Sequence, residues 1–206
     1  MKKEILLSII IPVWNQEELV IKALDSIPLR DDIEILVLDD CSTDNTFERL
    51  LEYKDTHPHL NLRLMSNGRN MGLGLTKNIL YANAKGKYIH ELDSDDYLYT
   101  DEYNKAIDQL DGTDIVYINM QSNDGHIFEL ALNSRELLCA GIARFIRKEF
   151  IGDTKCRDLK AGEDWYFNQD LLKKNPTEKF TGIIAYHYNF PREGSLYDLM
   201  VKGKLW

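Results

Sequence analysis

Acidic residues follow two strongly apolar segments of the sequence, at the points where strands would end. The carboxylates at these two points are Asp39, Asp40, Asp93, Asp95 and Asp96. Carboxylates that lie close together repel one another unless a cation lies between them. Oxygen donors suit a hard divalent cation, magnesium or manganese. The alternative is that these aspartates only cap helices and form turns.

Apolar periodicity predicts the elements that would position these acids. The runs at 5–13 and 33–38 are almost continuously apolar, which is typical of strands buried on both faces. The full prediction for the first hundred residues is strands at 5–13, 33–38, 61–65 and 88–92, with helices at 17–27, from 43 and at 73–84. This alternation predicts an α/β fold with right-handed crossovers. Ligands of such sheets bind beyond the carboxyl ends of the strands, where the acids lie.

The pattern is less regular after residue 100. The predicted elements there are helices at 102–110, 136–150 and 163–173, and strands at 115–120, 126–132 and 180–188. The sequence contains neither internal repeats nor a linker. We therefore predict one domain over 1–206, with a regular half at 1–111 and a smaller, less regular half at 112–206.

Composition sets limits on the class of protein. The 206 residues include 25 Lys and Arg against 34 Asp and Glu, a net charge of −9, and 44% are hydrophobic. A disordered chain would contain fewer apolar residues, and the apolar runs are shorter than the ~20 residues of a membrane-spanning helix. Cys41, Cys139 and Cys156 are widely spaced without a zinc or disulfide pattern, which favours reduced thiols. We expect a cytoplasmic protein, free or peripheral at a membrane, of undetermined oligomeric state.

Several motifs, in their order, give the sequence a family resemblance. The stretches that carry it are SIIIPVWN at 8–15, EILVLDDCSTDNT at 34–46, NMGLGLTKN at 70–78, GKYI at 86–89 and LDSDD at 92–96. In these stretches the chain resembles the family 2 glycosyltransferases, which use nucleotide-sugars and have the GT-A fold. The resemblance implies a Rossmann-like, mostly parallel central sheet flanked by helices, with a nucleotide-sugar-binding half at 1–111 and an acceptor-side half at 112–206. It also implies sugar transfer from a nucleotide-sugar, expected to be a UDP-sugar, to an acceptor hydroxyl.

The resemblance assigns contacts to the donor. In the family, residues at the end of the first strand line the pocket for the nucleotide base, and the indole of Trp14 could stack on that base. The alternative is a Trp packed in the core. Asp40 matches a carboxylate that accepts a hydrogen bond from the uracil imide. Lys77 matches a cation that steadies the diphosphate; the alternative is a solvated lysine on a helix face. The predicted donor contacts are Pro12, Val13, Trp14, Asn15, Asp40, Asn70, Gly72, Lys77, Asp93, Ser94 and Arg192.

The resemblance also implies a divalent cation, manganese or magnesium. The stretch at 93–95 matches the family Asp-x-Asp signature, so Asp95 is the expected direct ligand and Asp93 contacts the ribose or a metal-bound water. His187 is the candidate for a ligand late in the chain, against the alternative of a structural histidine.

Glu163 and Asp164 are the catalytic candidates, because they resemble the Glu-Asp motif at a helix start in the family. There the Asp deprotonates the acceptor hydroxyl in a single displacement that inverts the anomeric carbon. The alternative is an acid favoured by the helix dipole.

Other functions stay open at this point. A nucleotidyltransferase would need a glycine-rich phosphate loop after the first strand, and residues 12–16 contain no glycine. A non-catalytic sugar-nucleotide-binding protein is a second alternative. We expect the acceptor to be a glycan or a lipid-linked glycan. A protein side chain remains open as the acceptor. A modified nucleic-acid base, which would need a basic groove, is open but not favoured, since a solvated helix face explains the basic residues at 144–160 about as well.

Overall fold

The computed structural model describes residues 4–134, 141–159 and 162–192. The predictions that involve Cys139 and Lys160 lie outside these residues, as does the first part of the helix predicted at 136–150.

One nine-stranded sheet runs through the described chain. Its strands are β1 (Leu7–Val13), β2 (Ile33–Asp39), β3 (Leu62–Ser66), β4 (Tyr88–Glu91), β5 (Tyr97–Leu98), β6 (Ile115–Ser122), β7 (Ile127–Phe128), β8 (Arg144–Arg147) and β9 (Glu178–Tyr188). The strand order is β3-β2-β1-β4-β8-β6-β9-β5, and β7 pairs with β6. The predicted α/β fold with a mostly parallel sheet is confirmed.

The parallel part of the sheet places the candidate site. β1 pairs in parallel with β2 on one side and with β4 on the other. Every residue of β1, β2 and β4 is buried, as expected of apolar runs covered by helices on both faces. The carboxyl ends of these strands therefore meet at one edge, where Asn15, Asp40 and Asp93 follow.

Helices cover the sheet. They are α1 (Leu19–Asp25), α2 (Thr46–Thr56), α3 (Leu73–Asn83), α4 (Thr100–Ile107), α5 (Lys148–Ile151) and α6 (Glu163–Leu172). Among the described residues, none of these helices is long and apolar enough to cross a bilayer.

The structure departs from the prediction at three places. The helix predicted at 136–150 is wrong at 144–147, where β8 lies antiparallel between β4 and β6, whereas residues 148–150 are helical in the short α5. Pairing on both sides outweighs the helical pattern there. The strand predicted at 126–132 is reduced to β7, and β5 was not predicted because two residues carry no periodicity.

Candidate active site

Three carboxylates come together after β4. Oxygen atoms of Asp93, Asp95 and Asp96, which we call the acidic cluster, lie within 4.8 Å of one another. Tyr186 of β9 holds the cluster, because its hydroxyl donates to Oδ2 of Asp96 at 2.7 Å and accepts from the Asp93 N–H at 3.1 Å. The N–H of Asn189 donates to Oδ1 of Asp96 at 2.7 Å. The structure thus brings together Asp93, Asp95 and Asp96, three of the five carboxylates that the sequence placed at the strand ends.

The acidic cluster carries more negative charge than its surroundings neutralise. Burial raises the pKa of Asp93 well above its usual range, and the charges of Asp96 and Asp95 add to that rise. Burial and the charge of Asp95 raise the pKa of Asp96 to about 7. Repulsion of this kind is relieved when a cation lies among the carboxylates, so the donor set fits a hard divalent metal ion.

Arg192 lies against the acidic cluster. Its guanidinium donates to a carboxylate oxygen of Asp95, and both side chains are largely buried. The structure therefore places this predicted donor contact beside the predicted metal ligand. Ser94, between two aspartates of the cluster, is buried.

The ends of β1 and β2 form the neighbouring wall of the site. Pro12 and Val13 are buried in β1, whereas the indole of Trp14 is 51% exposed and is not the core residue of the alternative interpretation. Asn15 has a positive φ of 52° and accepts a hydrogen bond from the Thr43 N–H at 2.7 Å, which ties the two strand ends together.

Asp40 organises the loop that leads into α3. Its carboxylate accepts hydrogen bonds from the N–H groups of Met71 and Gly72, both at 2.8 Å, and from Nδ2 of Asn67 at 2.7 Å. Gly72 has a φ of 83°, a conformation that favours glycine, and Oδ1 of Asn70 accepts from its N–H at 3.2 Å. The structure thus brings the predicted donor contacts Asp40, Asn70 and Gly72 into one loop.

Lys77 is buried on α3 between two carboxylates. The side chain is only 5% exposed, and Nζ lies 2.9 Å from Oε2 of Glu91 and 3.2 Å from Oε1 of Glu163. Burial works against the charge of Lys77, but these two carboxylates outweigh it and raise the pKa of Lys77 well above its usual range. Lys77 is therefore not the solvated lysine of the alternative interpretation.

The Glu-Asp pair begins α6 as predicted. Glu163 is buried against Lys77, and Asp164 is half-buried, with Oδ1 accepting its neighbour's N–H at 2.7 Å. Burial raises the pKa of Asp164, the charge of Lys77 opposes the rise, and Glu163 adds to it. A carboxylate with a raised pKa and an accessible oxygen suits a general base.

His187 does not lie with the acidic cluster. Side chains alternate along β9, so Tyr186 and Tyr188 face the acidic side while His187 faces the other. The His187 ring stacks on Tyr97 at 4.0 Å, and Lys22 lies over the same tyrosine. Its predicted ligation of the metal therefore has no geometric support here.

Sequence reasoning missed Glu91 and Tyr188. Glu91 is the last residue of a buried strand and lies between the two motifs at 86–89 and 92–96, so neither motif singled it out. Burial raises the pKa of Tyr188 to about 12, with further contributions from the acidic cluster and from Asp164. One tyrosine therefore lies within electrostatic range of both groups, and the alternation of aromatic residues along 186–190 was the available signal.

Fold and site together define an α/β protein with an acidic cluster after β4 and a half-buried carboxylate, Asp164, in the first turn of α6. Residues 8–173 match the family model described as glycosyl transferase family 2. The chain belongs to this family.

Two curated relatives are bacterial polymer glycosyltransferases. The poly(ribitol-phosphate) beta-N-acetylglucosaminyltransferase TarS of Staphylococcus aureus is 27% identical over 91% of this chain and 36% of its own length. The poly(ribitol-phosphate) beta-glucosyltransferase of Bacillus spizizenii is 38% identical over 45% of this chain and 15% of its own. The chain therefore spans about a third or less of these relatives.

A solved structure shows the same fold. The crystal structure of S. aureus TarS 1–349 in complex with UDP-GlcNAc superposes with a TM-score of 0.77 and 26% identity, over 92% of this chain and 60% of that one. The predicted GT-A fold is thereby confirmed.

Proposed function

We propose that this chain binds a nucleotide-sugar, specifically a UDP-sugar, at the acidic edge and transfers the sugar to an acceptor hydroxyl. The observation that carries the proposal is that the acidic cluster and Asp164 act electrostatically on the same two side chains. Lys77 lies within electrostatic range of both Asp93 and Asp164, and so does Tyr188. The site thus combines carboxylates suited to a divalent metal ion with a candidate general base.

The donor would lie along the ends of β1 and β2. The exposed indole of Trp14 presents a face on which a flat base can stack. A carboxylate has about four acceptor sites, and Asp40 uses three of them with residues that the structure describes, so a fourth could accept from a uracil imide. The relative TarS, whose crystal structure contains UDP-GlcNAc, supports uridine as the nucleoside.

A divalent cation, manganese or magnesium, would be held by Asp95 and Asp93, with Asp96 as a further carboxylate. The raised pKa values of Asp93 and Asp96 support this fit, because they reflect burial of the carboxylates and repulsion from their acidic neighbours, both of which a bound cation would offset. When bound, the cation supplies Lewis-acid stabilisation of the departing diphosphate. Arg192, on Asp95, is placed to contribute a second positive charge to the phosphates.

Asp164 would remove the acceptor proton. In a single displacement the acceptor oxygen forms a bond to the anomeric carbon as the bond from that carbon to the diphosphate oxygen breaks, and the proton passes to the Asp164 carboxylate. Attack opposite the leaving group inverts the anomeric centre. The raised pKa of Asp164 makes it a stronger base than a solvated aspartate.

The names of the two relatives favour a hydroxyl of a phosphate-linked polymer as the acceptor. Both named relatives act on poly(ribitol-phosphate), a chain of polyol units joined by phosphate. We propose a glycan or polyol-phosphate acceptor of this general class for the present chain.

A panel of UDP-sugars and GDP-mannose, with manganese or with a chelator, tests the proposal. We expect thermal stabilisation and slow donor hydrolysis with UDP-sugars and manganese only. Asp164→Asn should keep the stabilisation and lose most of the hydrolysis, leaving a measurable residual rate. A wild-type chain that neither binds nor hydrolyses any of these donors would overturn the proposal.

A further inference from the structure

Lys77 joins two elements that carry different parts of the site. Glu91 is the last residue of β4, two positions before Asp93, and Glu163 is the first residue of α6, directly before Asp164. The Lys77 ammonium lies 2.9 Å from Glu91 and 3.2 Å from Glu163. One buried cation therefore ties the strand that leads to the acidic cluster to the helix that carries the candidate base.

The burial of these three charged side chains fixes the position of Lys77 between Glu91 and Glu163. All three side chains are at most 7% exposed, and a buried charge is costly unless it is paired. The Tyr81 hydroxyl donates a further hydrogen bond to Glu91, and the charge of Arg144 also favours the ionised form of Glu91. Moving Lys77 toward solvent would leave two carboxylates buried without their cation, so the geometry resists rearrangement.

The same face of α3 fixes α6 and the segment before it. A Cβ added at Gly74 would lie 2.3 Å from the Arg157 carbonyl oxygen and 3.4 Å from Cβ of Glu163. Asn78 exchanges two hydrogen bonds with the backbone of Cys156, both at 2.8 Å. Close backbone approach, amide hydrogen bonds and the ion pair therefore act along one helix face.

We infer that Lys77 is a positioning residue that acts through Asp164, holding the base at a set distance from the acidic cluster, and that it does not contact the donor diphosphate. The inference rests on the proposed function, because it takes Asp164 as the base. It differs from the family-based expectation for Lys77, in which the ammonium steadies the diphosphate.

Binding of UDP and UMP separates the two roles of Lys77. A lysine that contacts the β-phosphate contributes to the preference for UDP, whereas a positioning lysine does not. In Lys77→Met, we expect the ratio of UDP to UMP affinity, measured by calorimetry with manganese, to stay within about twofold of wild type. A fall of about tenfold or more, the effect of losing a charged hydrogen bond, would overturn the inference.

Donor turnover tests whether Lys77 acts through Asp164. We expect Lys77→Met to lower kcat for donor hydrolysis on the order of 100-fold with little change in KM, as for a displaced catalytic group. In the Asp164→Asn background the same substitution should have almost no further effect, since the group it positions is absent. Equal effects in both backgrounds would contradict the inference.

Two further variants keep the test decisive if Lys77→Met does not fold. Glu163→Gln preserves shape but removes one ion pair, and it should reproduce the loss of kcat and the unchanged UDP to UMP ratio. Lys77→Arg should restore most of the turnover. Lys54→Met, which removes an exposed lysine of α2, serves as the matched control and should behave as wild type.

The proposed function and the positioning role fail differently. If wild type binds no UDP and hydrolyses no UDP-sugar, the proposed function is wrong, and the positioning role falls with it. If wild type is active but Glu163→Gln keeps full kcat, only the positioning role is wrong.

Discussion

The guanidinium of Arg192 donates a hydrogen bond to the Asp95 carboxylate, so a cation of the chain occupies one side of the acidic cluster. Both side chains are 25% exposed, which leaves the pair partly screened by solvent. A divalent cation that binds Asp95 must share or displace this contact.

Arg192→Gln should therefore strengthen the binding of manganese to the nucleotide-free protein by about two- to fivefold, the range expected for removing a partly exposed competing pair. The measurement is a manganese titration by calorimetry. Arg49→Gln, which removes an exposed charge from α2, should leave manganese affinity unchanged. Unchanged or weaker manganese binding in Arg192→Gln would show that the arginine does not compete with the metal.

The pH dependence of turnover follows from Asp164. Burial raises the pKa of this carboxyl, and Glu163 adds to the rise against the opposing charge of Lys77. A base must be ionised, so kcat for donor hydrolysis at saturating manganese should fall as pH drops through a midpoint above the ~3.9 of a solvated aspartate. The residual activity of Asp164→Asn should lack this acid limb. A midpoint at or below the solvated value would argue against Asp164 as the base.

How far the sequence could predict this molecule is clearest in the first half. The runs that form β1 and β2 are apolar on both faces, so strand and burial follow directly from composition. The clustering of acids at the carboxyl ends follows from the parallel topology, and the structure brings Asp93 and Asp95 together as expected.

Tertiary context decided what the sequence could not. β8 contains Arg144, which is 2% exposed and bonds to Asn168 of α6, so the pattern of charge gave no sign of a buried strand. Lys77 had the spacing of a solvated helix residue, and only the positions of Glu91 and Glu163 on other elements explain its burial. His187 was assigned by residue type, but strand alternation turns it away from the acidic cluster.

His90 should make stability depend on pH. Burial lowers its pKa to about 4 from the ordinary 6.5, and Nε2 donates to the Ile142 carbonyl at 2.7 Å. The folded state binds this proton less tightly than the unfolded state, so the contribution is full above pH 6.5 and is lost as pH falls toward 4. The loss approaches about 3 kcal/mol. Urea unfolding at pH 6.5 and at pH 4 measures this loss. The free energy of unfolding of His90→Gln should change less between the two pH values than that of wild type, by this amount. An identical dependence in the two proteins would contradict a neutral buried His90.

Gly74→Ala should disrupt the packing of α3 against the segment before α6. The new Cβ would lie 2.3 Å from the Arg157 carbonyl oxygen, which is backbone and cannot rotate away. We expect a loss of about 1–3 kcal/mol in unfolding free energy, measured by urea denaturation, together with lower donor turnover. Gly68→Ala is the matched control, because an added Cβ there meets nothing within 4 Å. Equal stability of the two variants would mean that the close approach at Gly74 is not maintained.

The most direct test of a metal-dependent UDP site at the acidic edge is calorimetric titration of UDP into wild type, Asp95→Asn and Asp55→Asn, each with manganese and with a chelator. Asp55→Asn removes an exposed carboxylate of α2 and controls for net charge. We predict that manganese strengthens UDP binding at least tenfold in wild type and in Asp55→Asn, and that Asp95→Asn loses this gain. UDP binding that is equally strong with the chelator, or a gain from manganese that survives in Asp95→Asn, would contradict the account.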